Sequence, residues 1–123
     1  MDVIGKVLAA LLLTNVASYQ EQTVKTSWYD CARPKQCSKN KITASGEKFN
    51  PNDLTAAHRT LPFGTRVLVM YKDKYVLVRI NDRGPHVRGR SLDLSKRAAQ
   101  TIGCKGVCRV KIYILRIDKH KGL

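Results

Sequence analysis

Three polar side chains in this sequence can transfer or steer a proton, and each stands among apolar or small neighbours. The first, Asp82, follows the β-branched run 75–80, and the two-residue period of a strand puts its side chain on the same face as Ile80. A carboxyl group at the end of a core-facing row is partly desolvated, which raises its pKa and suits a general acid, although the neighbouring Arg83 opposes that shift. The alternative is that Asp82 caps the following turn by accepting backbone N–H groups, and the residues alone favour neither interpretation.

The other two side chains are Glu47 and His58. Glu47 follows the small-residue stretch 43–46, which allows a ligand to approach the backbone closely. An isolated histidine in an apolar segment such as 54–65 is more often structural than catalytic. Asp93, a further carboxylate, is interpreted as a helix cap or an ion-pair partner. Glu47, His58 and Asp82 would together supply acid, base and polar orienter if the fold brings them into one cleft.

Short β-branched runs and one helical segment are the elements that must position these side chains. Residues 66–71 and 75–80, joined by a short polar turn, predict a β-hairpin. Residues 110–117 predict a closing strand. Between them, Ser95 is a candidate N-cap and Gly103 a C-terminal stop, which predicts a short helix. Several short strands with one small helix favour a β-barrel.

The N-terminal residues 1–18 have the layout of a secretory signal peptide, with a basic start, a short apolar run and small residues at its end. The apolar run 7–16 is shorter than the roughly 20 residues that cross a bilayer, so cleavage after Ser18 is predicted rather than a membrane anchor. Residues 19–26 are then a short polar lead-in, and residues 27–118 form the folded domain. The protein is expected to be soluble and secreted or periplasmic, with no transmembrane span.

Four cysteines are an even number, which in an exported chain favours disulfides. Local pairing, Cys31 with Cys37 and Cys104 with Cys108, is the first choice, and the two crossed connectivities stay open. Five and three residues separate the members of these pairs, which does not fit the common zinc-binding patterns. No metal and no cofactor is therefore expected.

The chain carries a net charge of +14, from 23 Lys and Arg against 9 Asp and Glu. Such an excess favours a polyanionic partner, and for an exported protein the candidates are anionic cell-wall polymers and acidic lipid headgroups. A nucleic-acid binder would interleave aromatic residues with its basic clusters. The five Tyr, two Phe and one Trp do not alternate in this way, so no nucleic-acid partner is expected.

Several sequence blocks, in the same order and spacing, resemble the rare lipoprotein A family. Three carry most of the resemblance and two shorter ones flank them. The blocks are Ser27-Trp28-Tyr29, Thr43-Ala-Ser-Gly-Glu47, Leu54-Thr-Ala-Ala-His58-Arg-Thr-Leu-Pro-Phe-Gly-Thr65, Val78-Arg-Ile-Asn-Asp82-Arg-Gly-Pro85 and Gly89-Arg-Ser-Leu-Asp-Leu-Ser95. The match extends over about residues 26–115. The sequence departs from the family at Asp30, where glycine is common, and at His86, where an aromatic or aliphatic residue is usual. It also lacks the lipid-attachment cysteine and the C-terminal sporulation-related repeat of longer members, so septal targeting is not implied.

The resemblance implies a mainly β fold, a six-stranded double-psi β-barrel with one or two short helices and a glycan groove across one face. It implies an endolytic peptidoglycan lytic transglycosylase that cleaves MurNAc–GlcNAc β-1,4 bonds and leaves 1,6-anhydro-MurNAc ends. Asp82, Glu47 and His58 are then the catalytic candidates, with Asp82 as the acid. The substrate-binding candidates are Trp28, Tyr29, Thr43 and Arg83.

Peptidoglycan glycan strands are the expected partner, and a monomer is expected. The alternative is a non-catalytic, expansin-like barrel that binds cell-wall polysaccharide.

Overall fold

The computed structural model describes Lys6, residues 16–28 and residues 41–117 of the 123-residue chain. Its elements, in chain order, are β1 (Val16–Trp28), β2 (Thr55–His58), β3 (Arg66–Tyr71), β4 (Lys74–Asp82), β5 (Leu92–Leu94), α1 (Lys96–Ile102) and β6 (Cys108–Ile117). In the described part of the chain, no helix is long and apolar enough to cross a membrane.

The six strands close into a barrel in the order β1-β5-β2-β4-β3-β6. Two neighbouring pairs, β1 with β5 and β2 with β4, are parallel. The other four pairs are antiparallel. Closure pairs every strand on both sides and leaves no sheet edge. The prediction of a six-stranded barrel is confirmed.

The barrel interior is filled by β-branched and leucine side chains that alternate along the strands. Val76, Val78 and Ile80 of β4 are buried in the main core, where they pack with Leu92 and Leu94 of β5. Alternate residues of a strand point to opposite faces, so the side chains between them are available for the outer surface. In β5 that intervening side chain is Asp93.

The hairpin, the closing strand and the helix are confirmed. β3 and β4 pair in register from Arg66 to Tyr71, and β6 pairs with β1 and β3. The hydroxyl of Ser95 accepts a hydrogen bond from Ala98 N, which caps α1, and Gly103 ends the helix with a left-handed φ of 75°. Gly103 takes this conformation at little steric cost because it has no Cβ.

The sequence predicts a polar lead-in at 19–26, but the structure includes this stretch in β1. This strand pairs with β6 along its length, from Ser18 with Arg116 to Thr26 with Cys108. The stretch is polar because most of its side chains face solvent, while Thr26 is buried and donates a hydrogen bond to Leu92 O at 3.1 Å. Cleavage after Ser18 stays a prediction.

Candidate functional site

An open cavity of about 610 Å³ lies on the barrel surface. One wall includes the connection between β4 and β5, and another includes the loop between α1 and β6. The lining residues are Ser27, Trp28, Lys41, Asp82, Arg83, Gly84, Pro85, His86, Val87, Arg90, Asp93, Lys105, Gly106 and Val107. Two of them, Val87 and Val107, are large exposed apolar side chains, one on each wall.

A row of four residues crosses the barrel surface at this cavity. Asp82 of β4 is in register with Ala57 of β2, Ala57 with Asp93 of β5, and Asp93 with Ser27 of β1. Registered neighbours on adjacent strands point to the same face, so both carboxylates and the Ser27 hydroxyl face outward together. One strand separates the two carboxylates, which puts their Cα atoms two inter-strand spacings apart, about 10 Å.

A strand irregularity puts Asp82 in this row. Ile80 is in register with the core residue Ala56, but the next residue of β2, Ala57, is in register with Asp82 rather than Asn81. The extra residue in β4 moves Asp82 to the face opposite Ile80. The prediction that Asp82 continues the core-facing row is therefore wrong. The extra residue in β4 reverses which side chains of the strand face the core.

Asp93 is the carboxyl whose environment suits a proton donor. Desolvation by burial raises its pKa to about 6, against the lowering effects of the Ser27 hydrogen bond and of the Lys41 and Arg90 charges. The negative charge of Asp82 also raises this pKa. Ser27 Oγ lies 3.1 Å from Asp93 Oδ1 and donates a hydrogen bond to it. A carboxyl with this pKa keeps a useful protonated fraction near neutral pH.

Asp82 is buried as well, but it makes more hydrogen bonds than Asp93 among the described residues. Its Oδ1 accepts backbone N–H groups of Ala44 and Arg83, both at 2.9 Å. Its Oδ2 lies 3.7 Å from Lys41 Nζ. Hydrogen bonds and a nearby cation favour the ionised carboxylate. Asp82 does accept backbone N–H groups, as the turn-cap interpretation requires, and it also lines the cavity.

Glu47 holds the segment beside Asp82 rather than lining the cavity. Its Oε2 is paired with Arg79 Nη1 at 2.9 Å, and its Oε1 accepts a hydrogen bond from Asn81, the residue before Asp82. The hydrogen bond from Arg79, followed by that from Asn81, lowers the pKa of Glu47, so it is ionised at neutral pH. In addition, Ser45 N donates to Asn81 O at 3.2 Å. The block 43–47 is thus brought to the end of β4.

His58 ends β2, and its ring holds the turn that follows. Its Nδ1 lies 3.1 Å from both Thr60 N and Leu61 N and accepts their hydrogen bonds, which leaves the ring proton on Nε2. Burial, followed by the charges of Arg83 and Arg59, lowers the pKa of His58 and keeps the ring neutral. Among the described residues, neither His58 nor Glu47 lines the cavity.

The four substrate-binding candidates differ in where they lie relative to the cavity. Trp28 lines the cavity and packs against the main core. Arg83 also lines it, but its Nη1 donates to His58 O at 3.2 Å and to Leu61 O at 2.9 Å. Thr43 is buried, and its hydroxyl donates to Glu47 O at 2.9 Å within its own turn. Tyr29 lies outside the described residues.

The predicted disulfide between Cys104 and Cys108 is confirmed. The three residues that it encloses, Lys105, Gly106 and Val107, all line the cavity. Cys31 and Cys37 lie outside the described residues.

A closed six-stranded barrel with this strand order and paired parallel strands defines the chain as a double-psi β-barrel protein. Residues 21–113 match the sequence profile of a double-psi β-barrel family described as "Lytic transglycolase". The chain belongs to this family, and the resemblance to rare lipoprotein A proteins is confirmed.

Similar proteins agree with this membership. The chain is 56% identical over 77 residues to the "Probable endolytic peptidoglycan transglycosylase RlpA" of Nostoc sp., covering 59% of this chain and 21% of that protein. It is 37% identical over 122 residues to the "Endolytic peptidoglycan transglycosylase RlpA" of Rickettsia prowazekii, covering 96% and 38%. The chain therefore spans well under half the length of these curated relatives.

Two solved structures share the fold. The Streptomyces papain inhibitor superposes with a TM-score of 0.63 at 20% identity, covering 82% of this chain and 99% of that one. An expansin from Clavibacter michiganensis superposes with a TM-score of 0.60 at 16% identity, covering 80% and 52%. At these identities the likeness concerns the barrel alone.

Proposed function

We propose that this chain is an endolytic peptidoglycan lytic transglycosylase that cleaves the MurNAc–GlcNAc β-1,4 bond and leaves a 1,6-anhydro-MurNAc end. The observation that carries the proposal is one open cavity with two carboxylates in contrasting environments, Asp93 with a raised pKa and Asp82 in contacts that favour its ionised form. Pairs of titratable groups whose environments differ in this way are typical of acid–base sites. Family membership and the names of the relatives support the same activity.

The proton donor in this proposal is Asp93 rather than Asp82. Protonated Asp93 gives its proton to the glycosidic oxygen, the bond between that oxygen and C1 of MurNAc breaks, and an oxocarbenium-like state develops at C1. The C6 hydroxyl of the same MurNAc then attacks C1, and its proton returns to the Asp93 carboxylate. Because the substrate supplies the nucleophile, one residue acts first as acid and then as base.

Asp82 has a different role in this scheme. Its oxygens contact Ala44 N, Arg83 N and Lys41, and it lies in the same cavity as Asp93. A fixed negative charge in a partly desolvated cavity stabilises a positive charge that develops at C1. Glu47 and His58 act through others: Glu47 holds Asn81, and His58 holds the turn 58–61.

The walls suit a polymer of sugars. Val87 and Val107 offer apolar contacts from two different loops, and the Trp28 indole offers a face for a sugar ring. Cationic side chains at Lys41, Arg90 and Lys105 favour a substrate with carboxylates. Peptidoglycan lies outside the cytoplasm, where a disulfide such as Cys104–Cys108 persists, which supports a secreted or periplasmic location.

The test is mass spectrometry of sacculus digests made with wild-type protein and with Asp93→Asn, Asp82→Asn and Asp73→Asn variants. Wild-type protein should release anhydro-muropeptides. Positioned acid catalysis is typically worth about 10²–10⁴-fold, so Asp93→Asn should reduce release by that factor. Asp82→Asn should reduce it less. Asp73, an exposed carboxylate in the hairpin turn, is the matched control and should leave release unchanged.

Stability serves as the folding control for Asp93→Asn. The folded pKa of Asp93 is above the unfolded value, so wild-type protein loses stability as pH rises from about 4 through about 6. An amide avoids this loss, and the variant should gain up to about 3 kcal/mol above pH 6 and nothing below pH 4.

Three outcomes would contradict parts of the proposal. Loss of activity in Asp82→Asn with full activity in Asp93→Asn would make Asp82 the donor. Reducing-end products without the anhydro ring would indicate a hydrolase. Binding of sacculi with no product at all would indicate the expansin-like, non-catalytic alternative.

A further inference from the structure

We propose that Arg59 is a positioning residue that holds the cavity wall between β4 and β5 in its binding conformation. The wall, residues 84–90, contributes Gly84, Pro85, His86, Val87 and Arg90 to the cavity. Arg59 itself is not one of the described lining residues and lies immediately after β2. Its influence on a substrate therefore passes through the wall. Of the measurements that test this proposal, only the steady-state kinetics rest on the proposed function.

The guanidinium of Arg59 contacts three carbonyl groups spread along this wall. Nε donates to Pro85 O at 2.9 Å, while Nη2 donates to Val87 O at 3.1 Å and to Arg90 O at 2.6 Å. One side chain thus holds the beginning, middle and end of the segment. A planar guanidinium can do this because its donors point in fixed, divergent directions, which a lysine ammonium does not provide.

The wall has little regular structure of its own. It connects β4 to β5 without helix or strand, and residues 86–89 are exposed. Gly84 and Gly89 have φ values of 126° and 85°, which only glycine adopts easily. A segment with few buried apolar contacts and two glycines opens readily, so contacts to its carbonyls decide its conformation.

A second arginine makes the reciprocal connection. Arg83 precedes the wall, and its Nη1 donates to His58 O and Leu61 O, on either side of Arg59. The Arg83 guanidinium also lies over the Phe63 ring, 3.9 Å from its centroid. The segment after β2 and the segment after β4 therefore hold one another. Because Arg83 N also donates to Asp82, this clasp connects Arg59 to the orientation of a cavity carboxylate.

The experiment compares Arg59→Ala and Arg59→Lys with the control variant Arg116→Ala. Arg116 is an exposed arginine near the C-terminal end of β6, and its replacement removes the same side chain and charge as Arg59→Ala. Hydrogen exchange measures the opening of the wall through the amide of Arg90, which donates to Val87 O. Loss of charged hydrogen bonds should speed this exchange by at least about tenfold in Arg59→Ala, with the exchange of core strand amides unchanged. Arg59→Lys should show an intermediate effect, and Arg116→Ala none.

Sacculus binding and steady-state kinetics give the functional readout. Glycan affinity should fall by about tenfold in Arg59→Ala, with KM rising more than kcat falls, because the wall supplies binding groups rather than the proton donor. A general loss of stability would instead speed exchange throughout the barrel. Where Arg59→Ala does not fold, the Lys variant carries the same comparison.

Unchanged exchange in the wall, or equal effects of the Arg59 and Arg116 variants, would overturn the proposal. Wild-type protein that binds sacculi and releases no anhydro-muropeptides would count against the proposed function alone. The exchange and binding results would still decide the role of Arg59.

Discussion

Asp82 and Asp93 lie in one row and one cavity, but their neighbours differ in kind. Asp82 accepts hydrogen bonds from two backbone N–H groups and lies 3.7 Å from a lysine, and these contacts favour a charge. Asp93 is half-buried between strands, where desolvation outweighs the Ser27 hydrogen bond and raises the pKa to about 6. Ser27 is therefore a residue whose removal changes the acidity of Asp93 without removing the carboxyl.

The Ser27→Ala substitution should move the pH dependence of activity. If protonated Asp93 is required, the rate falls as pH rises through its pKa, about 6. The Ser27 hydroxyl lowers this pKa, so its removal should raise the pKa and shift the descending limb to higher pH. The measurement is anhydro-product release from pH 5 to 8.

Ser45→Ala is the matched control for this prediction. The Ser45 hydroxyl interacts with Thr43 in the turn beside Asp82, at 2.8 Å. Its removal should leave the descending limb in place. A limb that responds to Ser45→Ala and not to Ser27→Ala would assign the titration to another group.

At the scale of elements, two loops rather than strands form the cavity walls, and each is held by a different device. The β4–β5 connection is held by hydrogen bonds from Arg59. The loop between α1 and β6 is closed by the Cys104–Cys108 disulfide, and Cys104 N donates to Ala99 O at 3.0 Å. Both devices fix a loop onto a rigid barrel, which is the arrangement that binding sites commonly use.

Replacing both Cys104 and Cys108 by alanine should weaken glycan binding more than it destabilises the barrel. A disulfide that closes so short a loop contributes about 2 kcal/mol to stability in the chain-entropy account. The freed residues 105–107 would lose their fixed position in the wall. Isothermal titration calorimetry with soluble glycan strands measures the affinity, and thermal unfolding measures the stability.

Hydrogen exchange supplies an internal reference for this variant. The amides of the hairpin turn between β3 and β4 should exchange at the same rate in the double variant as in the wild-type protein. Unchanged glycan affinity with the disulfide absent would mean that this wall does not contact the substrate.

At the scale of the whole molecule, the chain has a net charge of +14. Acidic partners neutralise some of the cations, as in the pairs Glu47–Arg79 and Glu21–Lys111. The cavity adds Lys41, Arg83, Arg90 and Lys105 to its two carboxylates. Cationic side chains therefore outnumber carboxylates in the proposed binding site as well as in the whole chain.

Binding of the protein to sacculi should weaken steeply as salt rises, because exposed charges are screened over about 8 Å at physiological ionic strength. Lys105→Gln should reduce both affinity and its salt dependence. Lys72→Gln, which removes the same charge from the hairpin turn, is the matched control and should change both less. Pelleting assays between low and high salt measure the effect, and equal behaviour of the two variants would assign the attraction to the surface as a whole.

Local pattern in the sequence determined the hairpin, the capped helix, the closing strand, the Cys104–Cys108 disulfide and the family. Each depends on residues close in sequence, or on blocks in a fixed order, so alternation, capping and spacing were sufficient. The strand 19–26 was missed because its polar side chains face solvent and its pairing with β6 is a long-range contact.

Only the tertiary structure decided which carboxylates share a cavity. The extra residue at Asn81 moved Asp82 to the outer face, and Asp93 reached the same row because β5 pairs with β2 and β1, far apart in sequence. The alternation Leu92-Asp93-Leu94 could have indicated an outward carboxylate, but not its neighbours. Burial and nearby charges set the pKa of a carboxyl group, and both are properties of the packed barrel rather than of the local sequence.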